Sequence, residues 1–362
     1  MKENSTRKKI AIISPSLKMG GIERALTVLA NYFASVGHEV VFISCQDHDP
    51  FYKLEDAVEF YEFKYSRKSG VINKVLFYYN LLLFLRKKVT EVKPDCVLSF
   101  GDVFNPLVLL ALYKNKIPVF ISDRTSPDFP FNPIVKFGKK WLYPKATGFI
   151  AQTKRAAKYK QTEFKNALNI KIIPNAIKPL KTHPEITRKK QVVYVGRLSK
   201  EKGVARLIEA FSKIKNKNWN LMLAGDGPET NNLKQLVNEL QIQDKVVFLG
   251  KVNEIDKLLA ESSIFVLPSF LEGFPNALCE AMVGGLPSIC FDCIPHEELI
   301  EDSINGFVVK NDDIDGLSAA IDRLTEDEVL RNEIGNKALE IGNKLSLETI
   351  GQEYLNFISN TK

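Results

Sequence analysis

Short apolar runs alternate with amphipathic stretches through the first half of the chain. The sequence KKIAIISPS predicts a buried strand that leads into the loop at Gly20-Gly21, IERALTVLANYFASVG predicts a helix that ends at Gly37, and HEVVFISC predicts the next strand. Further strands are predicted at 96–100, 118–122 and 148–152. This order of strand, glycine loop, helix and strand predicts a doubly wound parallel sheet.

The pattern restarts near Pro174. Residues 178–190 are polar, basic and proline-bearing, which is typical of a linker, and QVVYVGRL then opens a second series of strands and helices. Strands are predicted in NLMLAG, KVVFLG, IFVLPS, PSICF and NGFVV, followed by a helix from about Ile314 and a last helix from about Ser346. Because 362 residues exceed one ordinary core, two domains are expected.

The stretch 272–280, EGFPNALCE, sets two carboxylates around a predicted helix start. SSIFVLPS before it predicts a buried strand, and 276–283 have helical composition. The backbone N–H groups of 273–276 and the positive end of the helix dipole would form an anion site suited to phosphate, and the carboxylates could bind sugar hydroxyls. The alternative is a turn rich in Gly and Pro whose glutamates face water.

EGFPNALCEAM followed by GGLP resembles the glycosyltransferases of family 4, which are retaining enzymes of the GT-B fold. Other resembling segments follow in the family's order: KMGGIERA, IPNAI, VVYVGRLSKEKG, LMLAGDGP, VVFLGKV and LSLETIGQEYLNFI. The resemblance implies an α/β GT-B fold, with two doubly wound Rossmann-like domains facing across a cleft. Residues 1–176 would form an acceptor-side domain completed by the helix 346–362, and residues 177–345 would bind the nucleotide-sugar.

The same resemblance implies roles for individual residues. Arg197, Lys202 and Glu272 would be catalytic. Arg197 and Lys202 would bind the donor diphosphate and neutralise charge as the nucleotide leaves, and Glu272 would hold the hydroxyls of the transferred sugar. Glu280 would hold the ribose hydroxyls. The other expected donor-binding residues are Gly20, Gly21, Gly196, Gly225, Asp226, Val252, Gly273, Phe274, Pro275, Asn276 and Ala277. Asp226 and the glycines beside it could equally be simple turn formers.

The chain departs from the family pattern after the fourth matched strand. Many relatives carry a histidine there, whereas this chain reads ISDRTSP, which makes Asp123 and Arg124 candidate acceptor-side contacts. Neither a metal nor a cofactor is expected, because two fixed cations would replace a divalent ion. Two Asp-x-Asp strings occur, at 47–49 and 313–315, and the second is predicted to be a helix N-cap.

Charge is distributed unevenly along the chain. Residues 1–175 hold 28 Lys and Arg against 15 Asp and Glu, whereas residues 176–362 hold 22 against 28. Basic clusters in the first half suit an anionic membrane face or a pyrophosphate-bearing acceptor, or they are merely a solvated lysine-rich surface. No nucleic-acid recognition motif accompanies them, so nucleic acid is not an expected partner.

Membrane and redox signals are limited. Residues 71–89 are too short and too interrupted for a bilayer span, and they are either a buried domain helix or an interfacial helix. The N-terminus shows no secretory signal. Five cysteines without zinc spacing indicate thiols in a reducing cytoplasm.

The sequence therefore predicts a metal-independent retaining glycosyltransferase, a hexosyl- or N-acetylhexosaminyltransferase. It would move a sugar from a nucleotide-sugar, most simply a UDP-sugar, to a hydroxyl of a lipid-linked or growing bacterial surface glycan, at the inner face of the cell membrane. Capsule, O-antigen and protein-glycan assembly all fit. The alternatives are a GT-B synthase or phosphorylase with a soluble acceptor, and a non-catalytic subunit that binds nucleotide-sugars.

Overall fold

The computed structural model describes residues 7–47, 49–65, 69–126, 129–177, 180–181, 183 and 185–360. The chain forms two compact units, one of Met1–Ala176 together with Leu347–Lys362 and one of Ile177–Ser346. Parts of the predicted linker at 178–190 lie outside the described residues.

The N-terminal unit is built on a parallel seven-stranded sheet. Its strands are β1 (Lys9–Ser14), β2 (Glu39–Ser44), β3 (Val58–Glu62), β4 (Cys96–Phe100), β5 (Val119–Ser122), β6 (Gly148–Ala151) and β7 (Ile170–Ile172). Their order across the sheet is β3-β2-β1-β4-β5-β6-β7. The winding direction reverses between β1 and β4, and such a switch point is where doubly wound sheets bind ligands.

Helices cover both faces of this sheet. The first five are α1 (Gly21–Ser35), α2 (Val71–Val92), α3 (Phe104–Ala111), α4 (Pro133–Leu142) and α5 (Lys154–Glu163). One core joins Leu81 of α2, Val108 of α3, Leu142 of α4 and Ala157 of α5 to the same side of the sheet. These four helices therefore form one layer.

The C-terminal unit repeats the architecture with six parallel strands. They are β8 (Gln191–Val195), β9 (Asn220–Ala224), β10 (Val246–Gly250), β11 (Ile264–Leu267), β12 (Ser288–Phe291) and β13 (Phe307–Val309), in the order β10-β9-β8-β11-β12-β13. The switch point lies between β8 and β11, which pair directly. The prediction of two doubly wound parallel domains is thus confirmed.

The described part of the C-terminal unit contains seven α-helices, and one more α-helix follows it. They are α6 (Val204–Lys213), α7 (Thr230–Glu239), α8 (Ile255–Glu261), α9 (Asn276–Val283), α10 (Ile314–Glu326), α11 (Glu328–Ala338), α12 (Ile341–Lys344) and α13 (Leu347–Asn360). The helix α13 belongs to the N-terminal unit. Its Phe357 ring lies 5.4 Å from the ring of Phe120, on the side of β5 opposite to Ile121, which lies in the core under α2 to α5.

Two strands were not predicted from the sequence, β3 and β7. Both are edge strands of the N-terminal sheet. In β3 only Val58 is buried, and β7 has three residues, none of them fully buried. An edge strand covered on one side carries few apolar residues, so its pattern is weak.

Candidate functional site

The switch point of the C-terminal unit brings together a cation and a carboxylate from two loops. Lys202 follows β8 in a short 3-10 turn, Lys200–Lys202, and Glu272 follows β11. The Nζ of Lys202 donates to Oε1 of Glu272 at 2.7 Å, and the Oγ of Ser269 donates to the same oxygen at 2.7 Å. Both charged side chains are mostly buried, with 25% and 9% of their surfaces exposed. Two predicted catalytic residues are therefore in direct contact.

The backbone after β8 is fixed by neighbouring groups. Gly196 N donates to Ala224 O at 2.9 Å, and the hydroxyl of Tyr194 donates to Arg197 O at 3.0 Å. Burial, and then the charge of Glu272, raises the pKa of Tyr194, so the phenol keeps its proton and remains a donor. The Arg197 side chain is exposed at this edge of the sheet.

A buried arginine that the sequence reasoning missed supports the loop after β11. Arg206 of α6 donates to Pro268 O, and it also donates to Asp312 Oδ1 at 2.8 Å. Its guanidinium stacks 3.5 Å above the Phe270 ring. The one available signal was its place on the apolar face of VARLIEAFSK, among residues that are buried. An arginine at such a position must find acceptors inside the fold, and here it finds them in this loop.

The helix α9 begins at Asn276, as predicted, and Pro275 is its N-cap. Asn276 N donates to Phe274 O at 3.0 Å, and Phe274 is buried. Glu280 lies one turn into the helix and is also buried. The first turn of a helix carries backbone N–H groups without intrahelical acceptors, so the loop before α9 can receive an anion.

The residues after β9 and β10 shape the backbone beside this site. Gly225 has φ +141°, and a Cβ there would overlap the carbonyl oxygen of Gly196, so only glycine fits. Asp226 Oδ1 accepts from Gly227 N at 2.8 Å, which is the bonding of a turn former. Val252 is half-buried, two residues after the end of β10.

The glycine pair of the N-terminal unit lies at its own switch point, at the start of α1. The Tyr52 hydroxyl donates to Gly20 O at 3.1 Å. A Cβ at Gly20 would meet the carboxylate of Glu23, which accepts from the Ser16 hydroxyl at 3.0 Å. A Cβ at Gly21 would meet no atom within 4 Å.

Asp123 lies in a buried charge network. Its Oδ2 is 2.8 Å from Lys139 Nζ and 3.1 Å from Lys160 Nζ, and the Tyr143 hydroxyl donates to its Oδ1. Burial alone would raise the pKa of Asp123, but the two ammonium groups lower it to about 2. Lys139 also pairs with Asp102 at 2.8 Å, and burial and Asp123 raise the pKa of Asp102. The carboxylate offered as an acceptor contact is thus engaged by its own unit.

Arg124 is held in the same way. Its guanidinium donates to Asn175 Oδ1 and, at 2.8 Å, to the Tyr354 hydroxyl of α13, and it stacks 3.5 Å above the Phe100 ring. Its backbone N–H donates to Asp102 Oδ2 at 3.1 Å. The structure therefore assigns the side chain of Arg124 to the joining of α13 with the strand ends.

Three other sequence features bear on the kind of site that the chain can hold: acidic strings, cysteines and apolar helices. Among the residues it describes, no group of three His, Cys, Asp or Glu side chains could hold a metal ion. Asp313 is the predicted N-cap and accepts from Gly316 N at 2.8 Å, while the string at 47–49 includes a position outside the described residues. Burial raises the pKa of Cys45 and Cys96 to about 12. None of the described helices combines the length and the apolar character that a membrane crossing requires.

Comparisons with known proteins identify the family of the chain. A family profile described as Glycosyl transferases group 1 matches residues 178–340, and one described as Glycosyltransferase Family 4 matches residues 19–179. The structure of HepE from Anabaena in complex with UDP and glucose superposes with a TM-score of 0.78 at 21% identity, covering 98% of this chain and all of that one.

Two curated relatives from Campylobacter jejuni are similar over nearly their whole lengths. The GalNAc-α-(1→4)-GalNAc-α-(1→3)-diNAcBac-PP-undecaprenol α-1,4-N-acetyl-D-galactosaminyltransferase is 28% identical over 98% of this chain and 99% of its own. The N-acetylgalactosamine-N,N'-diacetylbacillosaminyl-diphospho-undecaprenol 4-α-N-acetylgalactosaminyltransferase is 29% identical over 91% of this chain and 93% of its own length. The chain therefore belongs to glycosyltransferase family 4, has the GT-B fold, and is a glycosyltransferase of bacterial glycan biosynthesis.

Proposed function

We propose that this chain is a retaining glycosyltransferase that moves a sugar from a UDP-sugar to a hydroxyl of a lipid-linked bacterial surface glycan. The observation that carries the proposal is the contact between Lys202 and Glu272 at the switch point of the C-terminal unit. It sets a cation for phosphate and a carboxylate for sugar hydroxyls side by side, as a nucleotide diphosphate-sugar requires.

Each side chain of the site has a distinct part in donor binding. Lys202 and the exposed Arg197 bind the diphosphate, and Glu272 accepts hydrogen bonds from the hydroxyls of the transferred sugar. Glu280, buried in α9, accepts from the ribose hydroxyls. The backbone of 273–277 surrounds the sugar and the phosphate next to it.

The transfer breaks the bond between the anomeric carbon and the phosphate oxygen and forms a bond from that carbon to the acceptor oxygen. The acceptor hydroxyl attacks on the face that the nucleotide leaves, through an oxocarbenium-like transition state, so the configuration is retained. Its proton goes to the departing phosphate oxygen. The charge that develops on the diphosphate is stabilised by Arg197 and Lys202, and we propose that no metal takes part.

The nature of donor and acceptor rests on the relatives and on charge. The structure of HepE was determined with UDP, and both Campylobacter relatives are named for undecaprenol-linked acceptors and for N-acetylgalactosamine transfer. Hence we propose a UDP-hexose or UDP-N-acetylhexosamine as donor. An acceptor with a lipid-linked pyrophosphate suits the excess of basic residues in the first half of the chain, and it would bring the protein to the inner face of the cell membrane.

A thermal-shift experiment tests the donor site. Purified protein is heated with UDP-, GDP-, ADP- and dTDP-sugars in the presence of EDTA. A UDP-sugar at about one hundred times its Kd should raise the Tm of the C-terminal unit by about 5–10 °C, because a ligand that binds only the native state stabilises it. The Glu280→Gln variant should lose this shift, whereas the control Glu333→Gln, at an exposed position on α11, should keep it.

Two results would refute the donor assignment. One is a shift that requires a divalent metal, and the other is an equal shift in the Glu280→Gln variant and the native protein. Transfer itself is then measured with a radiolabelled UDP-sugar and an undecaprenyl diphosphate-linked glycan, and the anomeric configuration of the product is read by NMR. An inverted product would exclude the proposed retaining mechanism.

A further inference from the structure

The outer side of α4 in the N-terminal unit carries three large apolar side chains that face solvent. Ile134 is 84% exposed, Phe137 73% and Trp141 48%. Their spacing of three and four residues puts them on one stripe of the helix. The rotation of α4 is fixed from the other side, where Lys139 is buried in its ion pairs and Leu142 lies in the core.

Cations flank this stripe. Lys136 and Lys140 are exposed on α4, and the exposed Lys145 follows the helix with its Nζ 5.8 Å from the Trp141 ring. The sequence of α4, PIVKFGKKWL, contains no acidic residue. An apolar stripe bordered by lysines, with a tryptophan among its members, is typical of helices that lie in the interface of a membrane.

The helix α2 of the same layer has a comparable outer stripe. Ile72, Val75, Tyr79 and Leu83 are exposed, and Arg86 and Lys87 continue the stripe as cations. The inner side packs in the core through Phe77, Leu81, Leu85 and Val89. The helix is therefore a domain helix on its inner side, while its outer side has the composition expected of an interfacial helix.

We propose that these two stripes form a docking surface for a bilayer of anionic phospholipids. The surface, which we name the basic apolar surface, comprises Ile72, Val75, Tyr79, Leu83, Arg86, Lys87, Ile134, Lys136, Phe137, Lys140, Trp141 and Lys145. Its apolar side chains enter the interface, and its lysines and arginine remain at the phosphate groups of the lipids.

Charge and distribution favour lipid over a second copy of the chain as the occupant. The charged members of the basic apolar surface are all cations, so two copies would repel each other where their surfaces met. In the described part of the C-terminal unit, the exposed large apolar residues are scattered through its elements, namely Val247, Phe270, Ile304, Val329 and Leu339. The inference deepens the proposed function, because it names the surface that would bring the enzyme to a lipid-linked acceptor.

Vesicle flotation tests the inference without any substrate. The full chain is mixed with vesicles of phosphatidylglycerol and phosphatidylcholine, or of phosphatidylcholine alone. It should float with the first, and much less with the second or at high salt. Phe137→Asp should weaken the partition at least tenfold, since an apolar side chain is lost from the interface and a negative charge is added. Lys136→Gln should weaken it about fivefold, the equivalent of about 1 kcal/mol per cation.

The control variant is Val329→Asp. Val329 is 67% exposed on α11 of the C-terminal unit, so the substitution has the same chemistry at a site outside the surface. It should float as the native protein does. Far-UV circular dichroism and the Tm of Phe137→Asp should match the native values, because the side chain makes no core contact, and this excludes unfolding as the cause of lost binding.

Tryptophan fluorescence gives a second readout at the proposed surface. The chain has two tryptophans, Trp141 on the surface and Trp219, which is only 1% exposed. Anionic vesicles should shift the emission to shorter wavelength, and lipids brominated on their acyl chains should quench it. In the Trp141→Phe variant the response should disappear, since Trp219 remains in its core.

Three results would overturn the inference: no binding to anionic vesicles, equal flotation of Phe137→Asp and native protein, or a dimer in analytical ultracentrifugation that Phe137→Asp dissociates. These results are separate from a failure of the proposed function. If the vesicles bind but no UDP-sugar is transferred, the donor assignment fails while the docking surface stands. If a short, water-soluble acceptor analogue is glycosylated but no vesicle binds, the docking surface fails while the donor assignment stands.

Discussion

Replacing Lys139 with methionine tests whether the charges at the ends of β4 and β5 form a buried network that stabilises the N-terminal unit. The ammonium group lies 2.8 Å from Asp102 Oδ1 and 2.8 Å from Asp123 Oδ2, and the side chain is only 5% exposed. Methionine has a similar length and an apolar stem but no charge. The variant therefore removes the shared cation and leaves two buried carboxylates.

The structure indicates how large the loss should be. Removing one member of a buried ion pair costs about 3–5 kcal/mol, because the other charge remains buried without compensation. Asp123 would keep Lys160 at 3.1 Å and the Tyr143 hydroxyl. Among the described residues, the hydrogen-bond donors left to Asp102 would be the backbone N–H groups of Arg124 and Thr125, at 3.1 and 3.2 Å. We therefore expect a loss of about 3 kcal/mol in the free energy of unfolding at pH 7, mostly from Asp102.

The direction in which the stability of the variant changes with pH follows from the pKa of Asp102. Burial and the charge of Asp123 already raise the pKa of Asp102, and removal of the lysine would raise it further. A carboxyl whose pKa is higher in the folded than in the unfolded protein binds its proton preferentially in the folded state. The variant should therefore regain stability relative to the native protein as the pH falls from 7 to 5.

Urea unfolding followed by far-UV circular dichroism at pH 7 and pH 5 measures both effects. The control is Lys140→Met, which changes the next residue of α4 at an exposed position. A loss for Lys139→Met within about 0.5 kcal/mol of this control would show that the carboxylates are solvated, since surface substitutions usually stay in that range. A loss that does not change between the two pH values would refute the role assigned to Asp102.

Three further predictions concern the C-terminal unit. Lys202→Ala should lower kcat about 10²–10³-fold, by analogy with the loss of one charge-stabilising group in a transition state. The control Lys200→Ala, in the same turn, should leave kcat nearly unchanged. Equal kcat values for the two variants would show that Lys202 has no part in catalysis. Arg206→Met should lower the free energy of unfolding by about 3 kcal/mol and weaken UDP-sugar binding, because the loop after β11 loses its support. Lys213→Met, at an exposed ion pair of the same helix, should lower the free energy of unfolding by under about 1 kcal/mol. Equal losses for the two variants would contradict the supporting role of Arg206. Gly225→Ala should cost about 2 kcal/mol in urea unfolding because of its positive φ and the nearby carbonyl of Gly196, and a cost no larger than that of Gly342→Ala, whose Cβ has room, would disprove the close approach.

The strands at the centres of both sheets could be predicted because they are buried on two faces. After Lys9 at the start of β1, the strands β1, β4 and β11 are runs of apolar residues whose only polar member is serine. The edge strands β3 and β7 could not be predicted, because their positions in the sheet depend on neighbours that the local sequence does not specify. A three-residue strand such as β7 is held by its parallel pairing with β6 more than by its own composition.

The sequence predicts the residues of the candidate site that belong to a local motif. It does not predict the contacts between residues that lie far apart along the chain. Glu272 and Lys202 were each selected from their own segments, but their mutual ion pair arises only when β8 and β11 become neighbours. Arg206 was missed because its acceptors lie far along the chain, at Pro268 and Asp312. The sequence offers Asp123 as an acceptor-side candidate and does not show its ion pairs for the same reason, since Lys139 and Lys160 reach it from two later helices.

The return of the chain to the N-terminal unit has a consequence for folding during protein synthesis. Residues 1–176 leave the ribosome first, yet the unit also needs α13, whose Tyr354 binds Arg124 and whose Phe357 covers Phe120. The C-terminal unit is continuous in sequence, so it can fold as soon as it is made. The first half of the nascent chain must therefore wait, with part of its sheet uncovered, until α13 is translated. A premature stop between residues 347 and 354 would remove both contacts and leave this half aggregation-prone while the other half is whole.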